Sequence, residues 1–190
     1  MNKVYIAGDM LPKGSQMLRA LERQQIQEIG LDFYNPMENK DINDKEKADN
    51  NGLAERIVKA DTDAIKESDI IVIEPQPFAL GTLVELGQIH GMKMLAKMIL
   101  DIYDKHDPLS ACVEMAELAT KVSEQKVFPH YEDIRRFDGA GRDEEGDRRS
   151  LGINQYVYGV CLDLTEGKGF YNWDEVLDEL KKIKAEENQN

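Results

Sequence analysis

Three stretches of the chain bring together residue types that can do chemistry. The first is Gly81-Thr82-Leu83-Val84-Glu85-Leu86-Gly87. Thr82-x-x-Glu85 has the spacing of a helix-capping box, in which each side chain satisfies a free backbone N–H. A carboxylate in the first helical turn also feels the positive end of the helix, which favours its ionised form. With Gly81 leaving open space in front of it, an ionised Glu85 suits a nucleophile. Spacing alone leaves both readings open.

The second stretch is Gly8-Asp9-Met10-Leu11-Pro12-Lys13-Gly14-Ser15. It has neither the Gly-Lys-Ser/Thr run of a P-loop nor a dinucleotide fingerprint. Gly8 would let backbone approach a ligand, and Ser15 could cap the following helix and offer N–H groups to an anion. A plain tight turn is the competing reading. The third is the acidic series Asp61, Asp63 and Asp69. Asp61 shares a helix face with Val58 and Ile65 and so leans toward the apolar side, Asp63 should be exposed, and Asp69 should end the helix.

Other patterns are less informative. His90, His106 and His130 lack metal-ligand spacing, and no Gly-x-Ser-x-Gly elbow occurs. Arg135, Arg136, Arg142, Arg148 and Arg149 lie among six acids between Asp133 and Ser150, a net charge of 5 − 6 = −1. That composition reads as a self-paired solvated loop, or as one arginine reaching a substrate phosphate. Cys112 and Cys161 form no framework or CxxC pair and read as half-buried free thiols in a reducing cytoplasm.

The elements that must hold these residues follow from hydrophobic pattern. Lys3–Gly8, Leu31–Tyr34, Asp69–Ile73 and Met98–Tyr103 read as strands, the third being the strongest buried-strand signal. Ser15–Ile29 (stopped by Gly30), Leu53–Ser68 and Gly81–Lys97 read as intervening helices. The β-α-β-α-β-α-β order calls for right-handed crossovers and a doubly wound parallel sheet, with ligand at the carboxyl ends of its strands. The loops after Ala7, Ile73 and Tyr103 are therefore the ones to inspect. Met37–Gly52 is polar and reads as a solvated loop. Pro108–Gln125 and Asn154–Leu164 read as helices, Gly169–Tyr171 as a short last strand, and Trp173–Lys184 as a final helix with Leu177 and Leu180 inward. The sheet then has about five strands, and residues 1–190 form a single domain.

Composition bounds the partners. The 190 residues carry 24 Lys+Arg against 37 Asp+Glu, a formal charge of −13. Such a surface repels a nucleic acid polymer but allows a small nucleotide in a local pocket. No apolar run reaches the ~18 residues of a membrane span, and Val4–Gly8 is too short for a signal-peptide core. A cytoplasmic protein without a metal is expected.

Val4-Tyr5-Ile6-Ala7-Gly8, then Asp61 eight residues before Asp69-Ile70-Ile71-Val72, then Gly81-Thr82-Leu83-Val84-Glu85-Leu86-Gly87, resembles the nucleoside 2-deoxyribosyltransferase family. Asp133-Ile134-Arg135 through Asn154, followed by Gly169-Phe170-Tyr171, looks like the family's closing half. The resemblance implies a flavodoxin-like fold and no cofactor. It assigns Glu85 to attack on the sugar's anomeric carbon, Asp61 to contact with the departing base, and Tyr5 to orienting the nucleophile. Gly8, Asp9, Ser15, Gly81, Thr82, Arg135 and Asn154 are the candidate substrate contacts. Ala79 stands where many members carry an aspartate that holds the deoxyribose hydroxyls, and Asp107–Glu132 looks like a helical insertion. The resemblance also implies a homo-oligomer whose pocket is completed by a neighbouring subunit.

The function implied is transfer of 2-deoxyribose between bases through a glutamyl-sugar ester, with retention from two displacements at one carbon. The alternatives are hydrolysis of a 2′-deoxynucleoside 5′-monophosphate and a non-catalytic nucleotide sensor.

Overall fold

Val4, Tyr5, Ile6 and Ala7 are each no more than 2% exposed and form most of strand β1 (Lys3–Ala7). A strand apolar on both faces belongs in the middle of a parallel sheet. In the computed structural model, which describes residues 2–43, 49, 51–130 and 153–187, β1 does lie between β2 (Asp32–Tyr34) and β3 (Ile70–Ile73). Both neighbours run parallel to it, with Val4 opposite Phe33 on one side and Ile70 on the other. The order β2-β1-β3 reverses direction between its two crossovers. Right-handed connections then put the two crossover helices on opposite faces and open a crevice between the carboxyl ends of β1 and β3. This α/β arrangement is consistent with a flavodoxin-like fold.

The helices are α1 (Lys13–Ile29), α2 (Lys40–Asn43), α3 (Leu53–Glu67), α4 (Leu80–Lys105), α5 (Pro108–Ser123), α6 (Gln155–Leu164) and α7 (Trp173–Glu187). Gly30 ends α1 in the left-handed region at φ 87°, a conformation that costs a side-chain-bearing residue energy. Helix α3 buries Ala54, Asp61, Ala64 and Ile65. It packs closely against α6 at Gly159, where a Cβ would lie 2.4 Å from the Ala54 carbonyl oxygen. Gln88 of α4 ties these helices together: its Nε2 donates to Thr62 at 2.8 Å and its Oε1 accepts from the Tyr156 hydroxyl at 2.7 Å.

A buried cation braces the strand ends. Arg19 is 1% exposed and donates through Nη1 to the Ala7 carbonyl at 2.9 Å, and through Nη2 to Glu22 at 2.8 Å and Glu74 at 2.7 Å. Ala7 closes β1 and Glu74 follows β3, so one guanidinium joins the two ends that border the crevice. The side chain passes where Gly8 has no Cβ: one built there would sit 1.3 Å from Nη1.

Several expectations are corrected. Met98–Tyr103 is not a fourth strand but the C-terminal part of α4, which runs unbroken for 26 residues. The segment before it is rich in Met, Leu, Ala and Lys, strong helix formers, and Gly91 alone is too weak a breaker at about 1 kcal/mol to end the helix. Gly169–Tyr171 makes a single parallel bridge, His130 to Tyr171, and three paired strands are seen among the described residues. Asp69 does not end α3; Ser68 caps it, and Asp69 instead accepts a bond from the Lys3 backbone N–H at 3.0 Å. Leu177 and Leu180 are 36% and 46% exposed, and Val176 takes the inward position. Val72 of the supposedly buried third strand is also exposed. Cys161 is half-buried, but Cys112 is exposed. Within Met37–Gly52, α2 buries Ile42, while residues 44–48 and 50 lie outside the described part. No helix among the described residues is long and apolar enough to cross a membrane.

Candidate active site

A cavity of about 570 Å³ opens at the carboxyl ends of the strands. That size suits a small organic ligand. One wall is the β1–α1 loop, Gly8 to Leu11; a second is the start of α4, Phe78 to Thr82 with Glu85. Asp61 of α3 and Ile153 to Tyr156 at the start of α6 close the far side, and Pro36, Ile42, Leu53 and Ile57 supply an apolar surface beside the polar Asn43.

Glu85 and Asp61 are 6% and 4% exposed. The hydroxyl of Tyr5, fully buried in β1, donates to Glu85 Oε1 at 2.6 Å. Burial pushes the Glu85 carboxyl up to about 7, and the Tyr5 hydrogen bond opposes that rise. Asp61 is likewise raised to about 7, first by burial and then by the negative charge of Glu85, with a long bond from the Tyr34 hydroxyl (3.5 Å) pulling the other way. Tyr5 is held firmly neutral, chiefly by burial and then by the charges of Glu85 and Asp61. The short bond from Tyr5 favours the Glu85 anion, and the negative charge of Glu85 in turn favours the protonated form of Asp61. An anion and an acid facing one cavity can attack a carbon and protonate a leaving group.

The capping-box reading of this motif does not hold. Helix α4 starts at Leu80 after Ala79, so Glu85 lies in the second turn and makes no cap. Its ionised form is favoured by a tyrosine of a distant strand instead of by the helix end. Thr82 is buried along the cavity wall.

The other expected contacts divide. Gly8, Asp9, Gly81 and Asn154 border the cavity with Glu85, Asp61 and Thr82. Asp9 also accepts from the Leu11 backbone N–H at 3.0 Å, and Asn154 caps α6 through Oδ1, accepting from Tyr156 N–H at 2.8 Å. Ser15 does not border the cavity; Pro12 occupies the cap position of α1, and Ser15 is buried in its first turn. Arg135 and the Asp133–Ser150 loop lie outside the described residues. The expected site after Tyr103 does not exist, because that residue is inside α4.

Sequence reasoning missed Tyr34, Asn39, Ile42 and Asn43. Tyr34 accepts from Asn39 Nδ2 at 3.0 Å and reaches toward Asp61, while Ile42 and Asn43 line the cavity. The signal was present: Leu31–Tyr34 read as a strand closed by Asn35-Pro36, and the loop at its carboxyl end belongs to the same crevice by the rule applied to the other loops. Among the described residues no group of His, Cys, Asp and Glu side chains is arranged to hold a metal ion.

A parallel α/β sheet with a buried carboxylate pair at its switch point defines a class of small-ligand-binding proteins. Residues 4–122, more than half of the chain, match the family model described as nucleoside 2-deoxyribosyltransferase, and the chain belongs to that family. Comparison with curated proteins and with solved structures gave no match.

Proposed function

We propose that the protein cleaves the N-glycosidic bond of a 2′-deoxynucleoside and transfers the sugar to another base. The observation that carries this reading is the placement of Glu85 and Asp61 in one cavity with the Tyr5 hydroxyl 2.6 Å from Glu85. A Glu85 oxygen forms a bond to the anomeric carbon as the bond to the base nitrogen breaks. That electron pair leaves with the base, and Asp61 delivers its proton to a base nitrogen. Tyr5 keeps its own proton and releases part of its hold on Glu85 as the carboxylate charge is consumed in the ester. The incoming base then attacks the same carbon, its proton passes to Asp61, and Glu85 departs as the carboxylate. The apolar surface from Ile42, Leu53 and Ile57 suits the flat face of a base, and the acidic end suits a sugar passing through a cationic state.

The cavity's charge supports an unphosphorylated substrate. Asp9, Asp61 and Glu85 border it, and no lysine or arginine does among the described residues. A phosphate there would face three carboxyl groups without a counter-charge.

Incubation with deoxyinosine and adenine tests the proposal: deoxyadenosine should appear, and a sugar adduct on the intact protein should be trapped after brief exposure to deoxyinosine alone. Release of deoxyribose phosphate from a deoxynucleotide, without transfer, would replace it with hydrolysis. Tight nucleoside binding in calorimetry with no turnover would replace it with a sensor.

A further inference from the structure

Two tyrosines lie side by side in the sheet. Tyr5 of β1 and Tyr34 of β2 are partners in the parallel register, so their side chains project from the same face. Their rings stack with centroids 5.8 Å apart and planes 10° apart. Each carries its hydroxyl to a different carboxyl of the site: Tyr5 to Glu85 Oε1 at 2.6 Å, and Tyr34 to Asp61 Oδ1 at 3.5 Å. The reaction proposed above uses the first bond and not the second.

The direction of the second bond is fixed from outside the cavity. Asn39 Oδ1 accepts from the Asp41 backbone N–H at 3.2 Å, so the amide turns its Nδ2 to Tyr34 and donates to the hydroxyl oxygen at 3.0 Å. Turned over, that amide would set its own N–H against the one of Asp41. With its oxygen accepting from Asn39, the Tyr34 hydroxyl still has a proton to place. The acceptor it reaches among the described residues is Asp61 Oδ1. Donors therefore run one way, from Asp41 through Asn39 and Tyr34 to Asp61.

This chain acts on Asp61 from behind. Tyr34 and Asn39 do not border the cavity, whereas Asp61 does and is 4% exposed. A hydrogen on Oδ1 would collide with the one from Tyr34, so a proton held by Asp61 sits on Oδ2, which takes no hydrogen bond among the described residues. When that proton passes to a base nitrogen, the carboxylate left behind keeps the Tyr34 donor on Oδ1. A bond to a charged acceptor is stronger than one to a neutral acceptor, so it strengthens as the proton leaves. A starting length of 3.5 Å suits that role, because such bonds tighten as the reacting complex forms.

We propose that Tyr34 is the positioning residue of Asp61, holding Oδ1 so that the transferable proton stands on Oδ2 at the cavity. The inference rests on the reaction proposed above, in which Asp61 protonates the departing base. Tyr34→Phe keeps the ring that stacks on Tyr5 and removes only the donor. Turnover of deoxyinosine should then fall about 10-fold, the scale of one hydrogen bond to a charged group. Deoxyguanosine methylated on its imidazole ring, whose base already carries a positive charge and leaves without a proton, should lose far less. A merely structural role would slow both alike.

Carboxyl-carbon NMR of labelled aspartate, with Asp61 assigned by its absence in Asp61→Asn, gives a readout that needs no turnover. The bond from Tyr34 favours ionised Asp61, so the Asp61 titration should move up by about one pH unit in Tyr34→Phe. The other titratable groups that act on it, Glu85 from α4, Tyr5 from β1 and Tyr156 from α6, stay in place. Asn39→Ala, which unties the Tyr34 hydroxyl, should shift the titration the same way by less, and it serves if Tyr34→Phe does not fold. An Asp61 titration unmoved in the variants, or equal losses on the two nucleosides, would overturn the role of Tyr34. A parent enzyme that cleaves neither nucleoside would overturn the reaction instead, and the titration would still decide the tyrosine.

Discussion

The Tyr5 hydroxyl donates to Glu85 Oε1 at 2.6 Å, joining the central strand to the second turn of α4 across 80 positions of sequence. A donor on one oxygen fixes the carboxylate's rotation and leaves the other oxygen for the cavity. Tyr5→Phe removes a charge-assisted hydrogen bond of about 1.5–3 kcal/mol. Base release should slow by about 10- to 100-fold, and the rising limb of the pH–rate profile should move to higher pH, because the Tyr5 bond is what lowers the Glu85 carboxyl. A profile unmoved in Tyr5→Phe would separate the tyrosine from the chemistry.

Glu85→Ala should abolish trapping of the sugar adduct and lower turnover by about 10³-fold or more, the usual scale for loss of a nucleophile. Single-turnover assay with mass measurement checks both, and the variant should keep its fold, since it removes a charge that burial opposes.

Stability should fall as pH rises through neutrality. Both carboxyls are raised to about 7, so folding favours their protonated forms. The contribution is fully present below their ordinary values near 4 and is lost as pH climbs through about 7. Asp61→Asn removes one such group. Its free energy of unfolding, measured by denaturant titration, should depend less on pH and should exceed that of the parent at pH 8 by an amount on the order of a few kcal/mol, while base release is impaired.

Gly159→Ala should destabilise the protein by about 1–3 kcal/mol, the range for overpacking a close contact. The added carbon would fall 2.4 Å from the Ala54 carbonyl and 2.7 Å from Val58 Cγ2, so α6 must shift off α3. Tyr156 and Asn154 move with it, and nucleoside affinity should weaken in parallel with the unfolding midpoint.

The legible parts of the sequence were those where local pattern and burial agree. The Val4–Ala7 run could only be a covered strand, Gly30 stopped its helix by backbone conformation alone, and Asp61 was placed inward by its spacing from Val58 and Ile65. Met98–Tyr103 was misread because a six-residue stretch with five apolar members suits either a strand or a helix, and its neighbours' helix propensity decided the matter. The Thr82-x-x-Glu85 spacing was compatible with a cap, but the helix began three residues earlier than the motif required. Ile42 and Asn43 escaped notice because a polar stretch with one isoleucine has no periodicity to read. The bond between Tyr5 and Glu85 has no local signature, since it depends on how β1 and α4 meet.

Arg19 fills the volume that a methyl group at position 8 would claim, and with it holds the ends of two strands at the lip of the cavity. Positions 8 and 19 are consequently not free to vary one at a time. Any side chain at the first demands a shorter one at the second, and a shorter one abandons the Glu22 and Glu74 carboxylates to each other. Laboratory evolution of this cavity should therefore leave both sites untouched or change them as a pair.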